Sequence, residues 1–336
     1  MNKRRWFIVF GYLLSLGLVV GVFAHLDWVA FLAALKTVQL GWGAAAAVVV
    51  VVGVLMRALR WNLITGVPLR KYGHFWRSAS IGNLANLIFP GRAGEVLRIV
   101  TLSRFAQVLA GQAVTSAIVD RVADELMLAV FMALVFAMHG AGLLGSRVVI
   151  IFLVVFGIAA AGIGAFVIWG ERWKVRVNCL AGRLPAQIGQ RVTRWYAQAL
   201  EGVQTLHRPS LLLTVGGITL VAFLLDYAVM WLIMAAFGWS LPFGAAITVG
   251  VVAAAGMSLP SAPGGVGIYQ AACVFALGLY GIGVEQAVAF SVILHVLGWV
   301  VNGAQGGWSA LSYGFSLSAL GANLSLPPRS VGRFQG

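Results

Sequence analysis

Two Pro-Gly breaks interrupt apolar sequence 173 residues apart, Pro90-Gly91-Arg92-Ala93-Gly94-Glu95 and Pro263-Gly264-Gly265-Val266-Gly267-Ile268, in a chain of 336 residues. Matched interruptions of hydrophobic segments, about half a chain apart, mark internally repeated membrane transporters whose substrate site lies where the broken helices meet. Composition agrees: 61% of residues are apolar, 10% are charged, and the 42 glycines are of the small kind that close helix contact in lipid favours. The net charge of +14 raises nucleic acid as a partner. The basic residues, however, lie in short segments between apolar runs, where the positive-inside rule puts them, so the pattern indicates a membrane and no nucleic acid. Cys179 and Cys273 offer neither a disulfide framework nor metal-ligand spacing.

A crossing helix needs roughly 20 apolar residues. Six runs meet that standard: 6–24, 42–64, 113–138, 148–169, 211–237 and 285–313. The first follows Lys3-Arg4-Arg5 and ends Val22-Phe23-Ala24, a pattern shared by retained anchors and cleaved signal peptides; its length favours an anchor. Between the second and third runs lie two arms, 75–89 and 94–109, too short to cross at about 1.5 Å per residue. They are expected to form a re-entrant hairpin with Pro90-Gly91 at its tip, because proline disfavours helix in the residue before it and glycine permits a tight turn. Arms 242–259 and 266–281 flank Pro260 and Pro263 in the same manner. Irregular backbone at that depth persists only where it is enclosed by protein or lines a wet cavity.

With the N-terminus inside, the cytoplasmic segments collect 19 basic residues and the outside two, Lys36 and Arg147. Followed through, the first hairpin enters from the cytoplasm and the second from outside, an inverted repeat. The expected fold is therefore an all-α polytopic membrane protein, about six spanning helices plus two re-entrant hairpins. One transmembrane domain covers 1–320, with repeats at about 42–138 and 211–313 and a cytoplasmic tail at 321–336. The linker 170–209 holds Ile188, Val192, Trp195, Ala199, Val203 and Leu206 at helical spacing opposite Arg191, Arg194, Gln198 and Glu201. That spacing describes an amphipathic helix on the inner leaflet, as a plain connector or as a lipid-recruiting device.

The third run carries Asp120, Arg121, Asp124 and Glu125 on an arc of about 140°. Each charge at mid-bilayer costs about 2.5–3.5 kcal/mol against about 0.3–0.6 returned per Leu, Ile, Val or Phe, so these groups must face protein, water or each other. They serve either as a packing network or as part of a substrate or proton path. Arg121 and Glu125 have the spacing of an i, i+4 pair, which leaves Asp120 and Asp124 to partners elsewhere. At the first break, Arg92 and Glu95 stand at the start of a helix whose free N–H groups and dipole suit an anion such as phosphate, and arginine adds bidentate geometry. The competing reading is that Arg92 pairs with Asp120, Asp124 or Glu95 to lock the hairpin. Arg57 and Arg60 have the position of side chains that snorkel to the interface, with a substrate role as the alternative. Asp226 stands in the fifth run and His295 in the sixth. Asn83, Asn86, Ser258, Ser261, Tyr269 and Gln270 place polar side chains beside the breaks, where freed backbone groups need partners. Pro90, Gly91, Pro263, Gly264 and Gly265 are the candidate gating positions.

The sequence has no His-Glu-x-x-His, no Gly-x-x-x-x-Gly-Lys and no Gly-x-Ser-x-Gly, so neither an ATP-driven pump nor a recognisable enzyme is encoded in this single chain, and no cofactor or metal is implied. The runs Arg57-Ala58-Leu59-Arg60-Trp61, Gly82-Asn83-Leu84-Ala85-Asn86-Leu87-Ile88-Phe89-Pro90-Gly91-Arg92-Ala93-Gly94-Glu95, Asp120-Arg121-Val122-Ala123-Asp124 and Pro263-Gly264-Gly265-Val266-Gly267 together resemble the family of the transmembrane, flippase-like domain of lysylphosphatidylglycerol synthase, over nearly the whole chain. The resemblance implies movement of polar lipids between leaflets, and the expected function is translocation of a polar or phosphate-bearing lipid; the charge bias puts both termini in the cytoplasm, and a bacterial inner membrane is the simplest location. It points to Asn86, Arg92, Glu95, Asp120 and Arg121 as site positions. Some members accompany hopanoid synthesis, which makes lipid-biosynthesis enzymes candidate partners and a non-transporting accessory role the alternative. The full-length synthase carries a soluble aminoacyl-transfer domain that has no counterpart in this sequence, so aminoacyl-lipid synthesis is not expected.

Overall fold

The computed structural model describes residues 15–21, 23–24, 26–89, 93–140, 146–204, 208–257 and 263–315. Among them every long element is a helix: α1 Trp28–Lys36, α2 Leu40–Thr65, α3 Tyr72–Ile88, α4 Ala93–Phe105, α5 Ala110–His139, α6 Ser146–Ala181, α7 Ala186–Gln204, α8 Pro209–Ala236, α9 Phe243–Met257, α10 Ile268–Gly278 and α11 Val284–Ser312. Four of the described helices, α2, α5, α8 and α11, are long and apolar enough to cross a membrane. The run 148–169 lies within α6, and the run 6–24 lies largely outside the described residues. The arms are shorter than the crossing helices: α3 has 17 residues, α4 13, α9 15 and α10 11. At about 1.5 Å per residue none reaches the roughly 30 Å of a hydrocarbon core.

Two series of four helices, α2 to α5 and α8 to α11, pack with the same pattern of neighbours. The first helices of the two series lie against each other, α3 packs on α11, and α9 packs on α5. Side-chain contacts recur at a fixed offset. Gly82 on α3 abuts Gly94 and Arg98 on α4; adding 174 to each number gives Gly256 on α9, which abuts Ile268 and Ala272 on α10. At the outer ends of the arms, the same offset carries His74 and its partner Tyr313 (Nδ1 to hydroxyl, 2.8 Å) into Thr248 and its partner His139 (3.0 Å), with the members of each pair drawn from opposite series. Tyr313 also stacks on Phe105 at 3.8 Å, and Tyr280 bonds His139 at 3.0 Å.

Small residues set the closest approaches. Gly306 of α11 lies against the Ser80 carbonyl and Leu84 Cβ of α3, so even a methyl group there would collide. The main apolar core fills the space between α5, α8, α9, α10 and α11, with Met132, Ile233, Met234 and Phe290 fully enclosed.

The segment after residue 169 departs from expectation. It does not leave the membrane side as a loop: α6 runs on through Gly170-Glu171-Arg172-Trp173 to Ala181. No proline interrupts that stretch, and Glu, Arg, Lys and Leu all sustain helix. The amphipathic helix is α7, but its protein side is formed by Gly189, Thr193, Tyr196 and Leu200, while Ile188, Val192 and Trp195 stay exposed. Two bonds clamp it to its neighbours: the Gly111 amide at the start of α5 donates to Gln198 Oε1 at 3.0 Å, and the Tyr196 hydroxyl donates to the Gly170 carbonyl at 2.8 Å.

Candidate functional site

The charges of the first series converge on one place. Arg60, 0% exposed, projects from α2 and donates through Nε to Asp120 Oδ1 at 2.8 Å and through Nη1 to Asp124 Oδ1 at 2.7 Å and Thr219 Oγ1 at 3.0 Å. Asp120 takes a second guanidinium on its other oxygen, Arg98 Nη1 of α4 at 3.1 Å. Arg98 Nε stands 2.8 Å from Glu95 Oε2, one turn back on the same helix, and its guanidinium lies 4.8 Å from the Trp61 ring centroid. Glu95 in turn accepts from Arg121, whose other nitrogen is 3.6 Å from Asp124. Beside this cluster, Arg57 of α2 and Asp226 of α8 form a two-pronged pair.

Counting these eight groups, four guanidiniums face four carboxylates. The balance has a physical cause: an unpaired ion away from water costs several kcal/mol, so Asp120 and Asp124 of α5 are each matched by an arginine brought from another helix. The cluster grades outward. Arg60, Arg98 and Asp120 are enclosed, whereas the Arg121 side chain is 43% exposed, Asp226 45% and Arg57 30%.

Arg60 therefore does not snorkel; it is held between two carboxylates of α5. Arg57, Arg60 and Arg98 also leave the set of basic residues that the sequence assigns to the expected cytoplasmic side, which reduces that bias to 16 against two. Two members of the network, Arg98 and Thr219, were not among the sequence candidates. Arg98 carried a signal in its i, i+3 spacing from Glu95. Thr219 carried none, because a threonine in an apolar helix is ordinarily satisfied by its own backbone, as Thr219 also is through the Val215 carbonyl at 2.7 Å.

The two breaks are tied down differently. Asn86, near the end of α3, turns its Oδ1 onto the Gly94 amide at 2.8 Å and so caps the first turn of α4 across the hairpin. Asn86→Ala is expected to cost about 0.5–2 kcal/mol, as loss of a cap does, read as a lowered unfolding temperature in detergent; an unchanged temperature would show the cap to be idle. Pro90, Gly91 and Arg92 lie outside the described residues.

The second break is described from Pro263 onward, and Gly264, Gly265 and Gly267 all have positive φ, 70°, 71° and 89°. Only glycine takes three such angles without strain. The break is stapled to α11: the Gly267 amide donates to Gln270 Oε1 at 2.7 Å, the Gln270 amide contacts His295 Nδ1 at 2.9 Å, and His295 Nε2 contacts the Gly264 carbonyl at 2.7 Å. A carbonyl only accepts, so Nε2 carries the proton and Nδ1 accepts from Gln270. His295 is thereby a neutral strut of the second break. Asn83 and Asn302 bond each other at 3.1 Å, joining α3 to α11.

No metal-ligating cluster of His, Cys, Asp and Glu occurs among the described residues. No curated protein and no solved structure matches the chain. The family model described as the lysylphosphatidylglycerol synthase TM region matches residues 8–306. With helices suited to crossing a membrane and a match over most of its length, the chain belongs to that family and is a multi-pass membrane protein of a lipid-handling type.

Proposed function

We propose that the protein is a lipid translocase of a bacterial inner membrane, with α3–α4 and α9–α10 as re-entrant hairpins of an inverted repeat, six spanning helices, and both termini cytoplasmic. The observation that carries this reading is the balanced ionic network at the first hairpin. Its eight charges cancel among themselves, and Arg92, one residue before α4, stands beside them in the sequence. A headgroup phosphate suits Arg92 at a helix N-terminus, where backbone N–H groups also favour an anion. Glu95 and Arg121 are the accessible members beside that helix start. Arg60, Arg98, Asp120 and Asp124 are positioning residues that hold α4 in place. Pro90-Gly91 and Pro263-Gly264-Gly265 form the midplane barrier, opening by turns to each side.

Arg92→Ala is expected to abolish leaflet exchange of an anionic phospholipid in liposomes while leaving the elution profile and unfolding temperature of the wild type. Normal exchange in that variant would remove the headgroup role. The self-sufficiency of the network favours a second reading, a non-transporting accessory protein that organises lipid-synthesis enzymes. That reading expects co-purification with such an enzyme and indifference to Arg92→Ala.

A further inference from the structure

The two series match in their contacts but not in their charges. The offset of 174 that relates Gly82, Gly94 and Arg98 to Gly256, Ile268 and Ala272 also relates Glu95 to Tyr269, Asp120 to Leu294 and Asp124 to Gly298. Three carboxylates of the first series thus fall on a phenol, an isobutyl group and a bare glycine in the second. The first location is filled with ion pairs. The second is hollow: a partly open pocket of about 320 Å³ lies among α8, α9, α10 and α11, with Val50 of α2 and Leu128 of α5 also lining it, and Tyr269, Leu294 and Gly298 are all in its wall.

That volume is within the range of small-ligand sites, roughly 300–1,000 Å³. The pocket is partly open rather than enclosed, which leaves a way in for a ligand from outside the helices. A methyl group placed on Gly298 would meet nothing within 4 Å. The wall is mostly apolar, with Asp226, Asn302 and the phenols of Tyr227 and Tyr269 among its lining. Tyr227, also in the wall and 3% exposed, has a hydroxyl with no hydrogen-bond partner among the described residues. Asp226 is the member of the Arg57 pair that reaches the cavity, so the ionic cluster and the hollow are continuous at that residue.

We infer that this cavity takes the hydrocarbon chain of a membrane lipid, with the Arg57–Asp226 pair and the Tyr227 hydroxyl at the junction between chain and polar end. The first series handles charge and the second handles the chain, which is why the charged positions of one are emptied in the other. The inference rests on the translocase reading for its substrate class, but its test does not depend on transport.

The full chain is reconstituted in liposomes holding a trace of phospholipid with a diazirine midway along one acyl chain, irradiated, and digested for mass spectrometry. Label is expected at the wall positions within 226–230, 250–257 and 294–298. Gly298→Leu, which puts four carbons into the void, should reduce that label at least fivefold, while Val300→Leu on the exposed side of the same helix leaves it unchanged. Leu297→Phe, entering the cavity from the next position, carries the same expectation if Gly298→Leu does not accumulate. Label confined to outward positions such as Leu213 and Val300, or unaffected by Gly298→Leu, would overturn the inference. A labelled cavity in a chain that moves no lipid keeps the chain site and discards the translocase; rapid exchange without cavity label does the reverse.

Discussion

Asp120→Leu should destabilise the protein by about 3–5 kcal/mol, the cost of removing one partner from a buried ion pair, and the double variant Arg98→Ala/Asp120→Leu should recover part of that loss. Asp120 is 3% exposed and takes one guanidinium on each oxygen. Without it, four arginines face three carboxylates, and the surplus charge is enclosed with Arg60 and Arg98. Removing Arg98 as well restores the balance, leaving Arg60 with Asp124 and Arg121 with Glu95. Both replacements are the residues found 174 positions later, Ala272 and Leu294, so the fold already accommodates them in the equivalent place. The recovery is limited by the loss of the Arg98 contact with the Trp61 ring. Unfolding in detergent, followed by tryptophan fluorescence across the two single variants and the double, gives the coupling; for groups in contact it is about 0.5–3 kcal/mol. Strictly additive losses would mean that the network is not one electrostatic unit.

Gly94→Ala is expected to be the most disruptive single methyl group in the first hairpin, and Gly256→Ala a mild one. On Gly94 the added carbon would fall within the Gly82 carbonyl oxygen and 2.5 Å from Asn86 Oδ1. Neither neighbour gives way cheaply: one is backbone and the other is the cap of α4. The arms must separate, and α4 carries Glu95 and Arg98 with it. Overpacking costs about 1–3 kcal/mol and more where backbone must move, so loss of monodisperse protein, or a fall in unfolding temperature well beyond that of Asn86→Ala, is the anticipated result. At Gly256 the nearest atom is Ile268 Cγ2 at 3.2 Å, a side-chain methyl that shifts by a few tenths of an ångström. Equal damage at both glycines would show that contact distance does not govern the hairpin.

Much of this arrangement was legible in the chain. Length and hydropathy placed α2, α5, α8 and α11 within about three residues of their observed ends, because a run of more than 20 apolar residues leaves few alternatives to a crossing helix. The arms were legible from their shortness and from the prolines between them. The partners of the charges were not. Cost arguments required Asp120 and Asp124 to find partners away from their own helix, but they could not say that both find Arg60, 60 and 64 residues earlier. Pairing across helices depends on crossing positions, which periodicity does not encode. The same limit hid the pocket: a hollow is a property of several helices together, and only the contact equivalence between Gly82 and Gly256 shows what stands where carboxylates stand in the other series.

The clamp on α7 relocates the joint of the molecule. What reads in the sequence as a forty-residue connector between two halves is, for most of its length, bolted to the first: α7 packs on α5 and α6, with Gln198 on the head of α5 and Tyr196 on the Gly170 carbonyl. α7 ends at Gln204 and α8 begins at Pro209. Between the helix clamped to the first series and the first helix of the second, the sequence has four residues. The basic arm formed by the end of α6 and α7 thus belongs with the first series, and the exposed thiol of Cys179 is a labelling position on that part of the molecule.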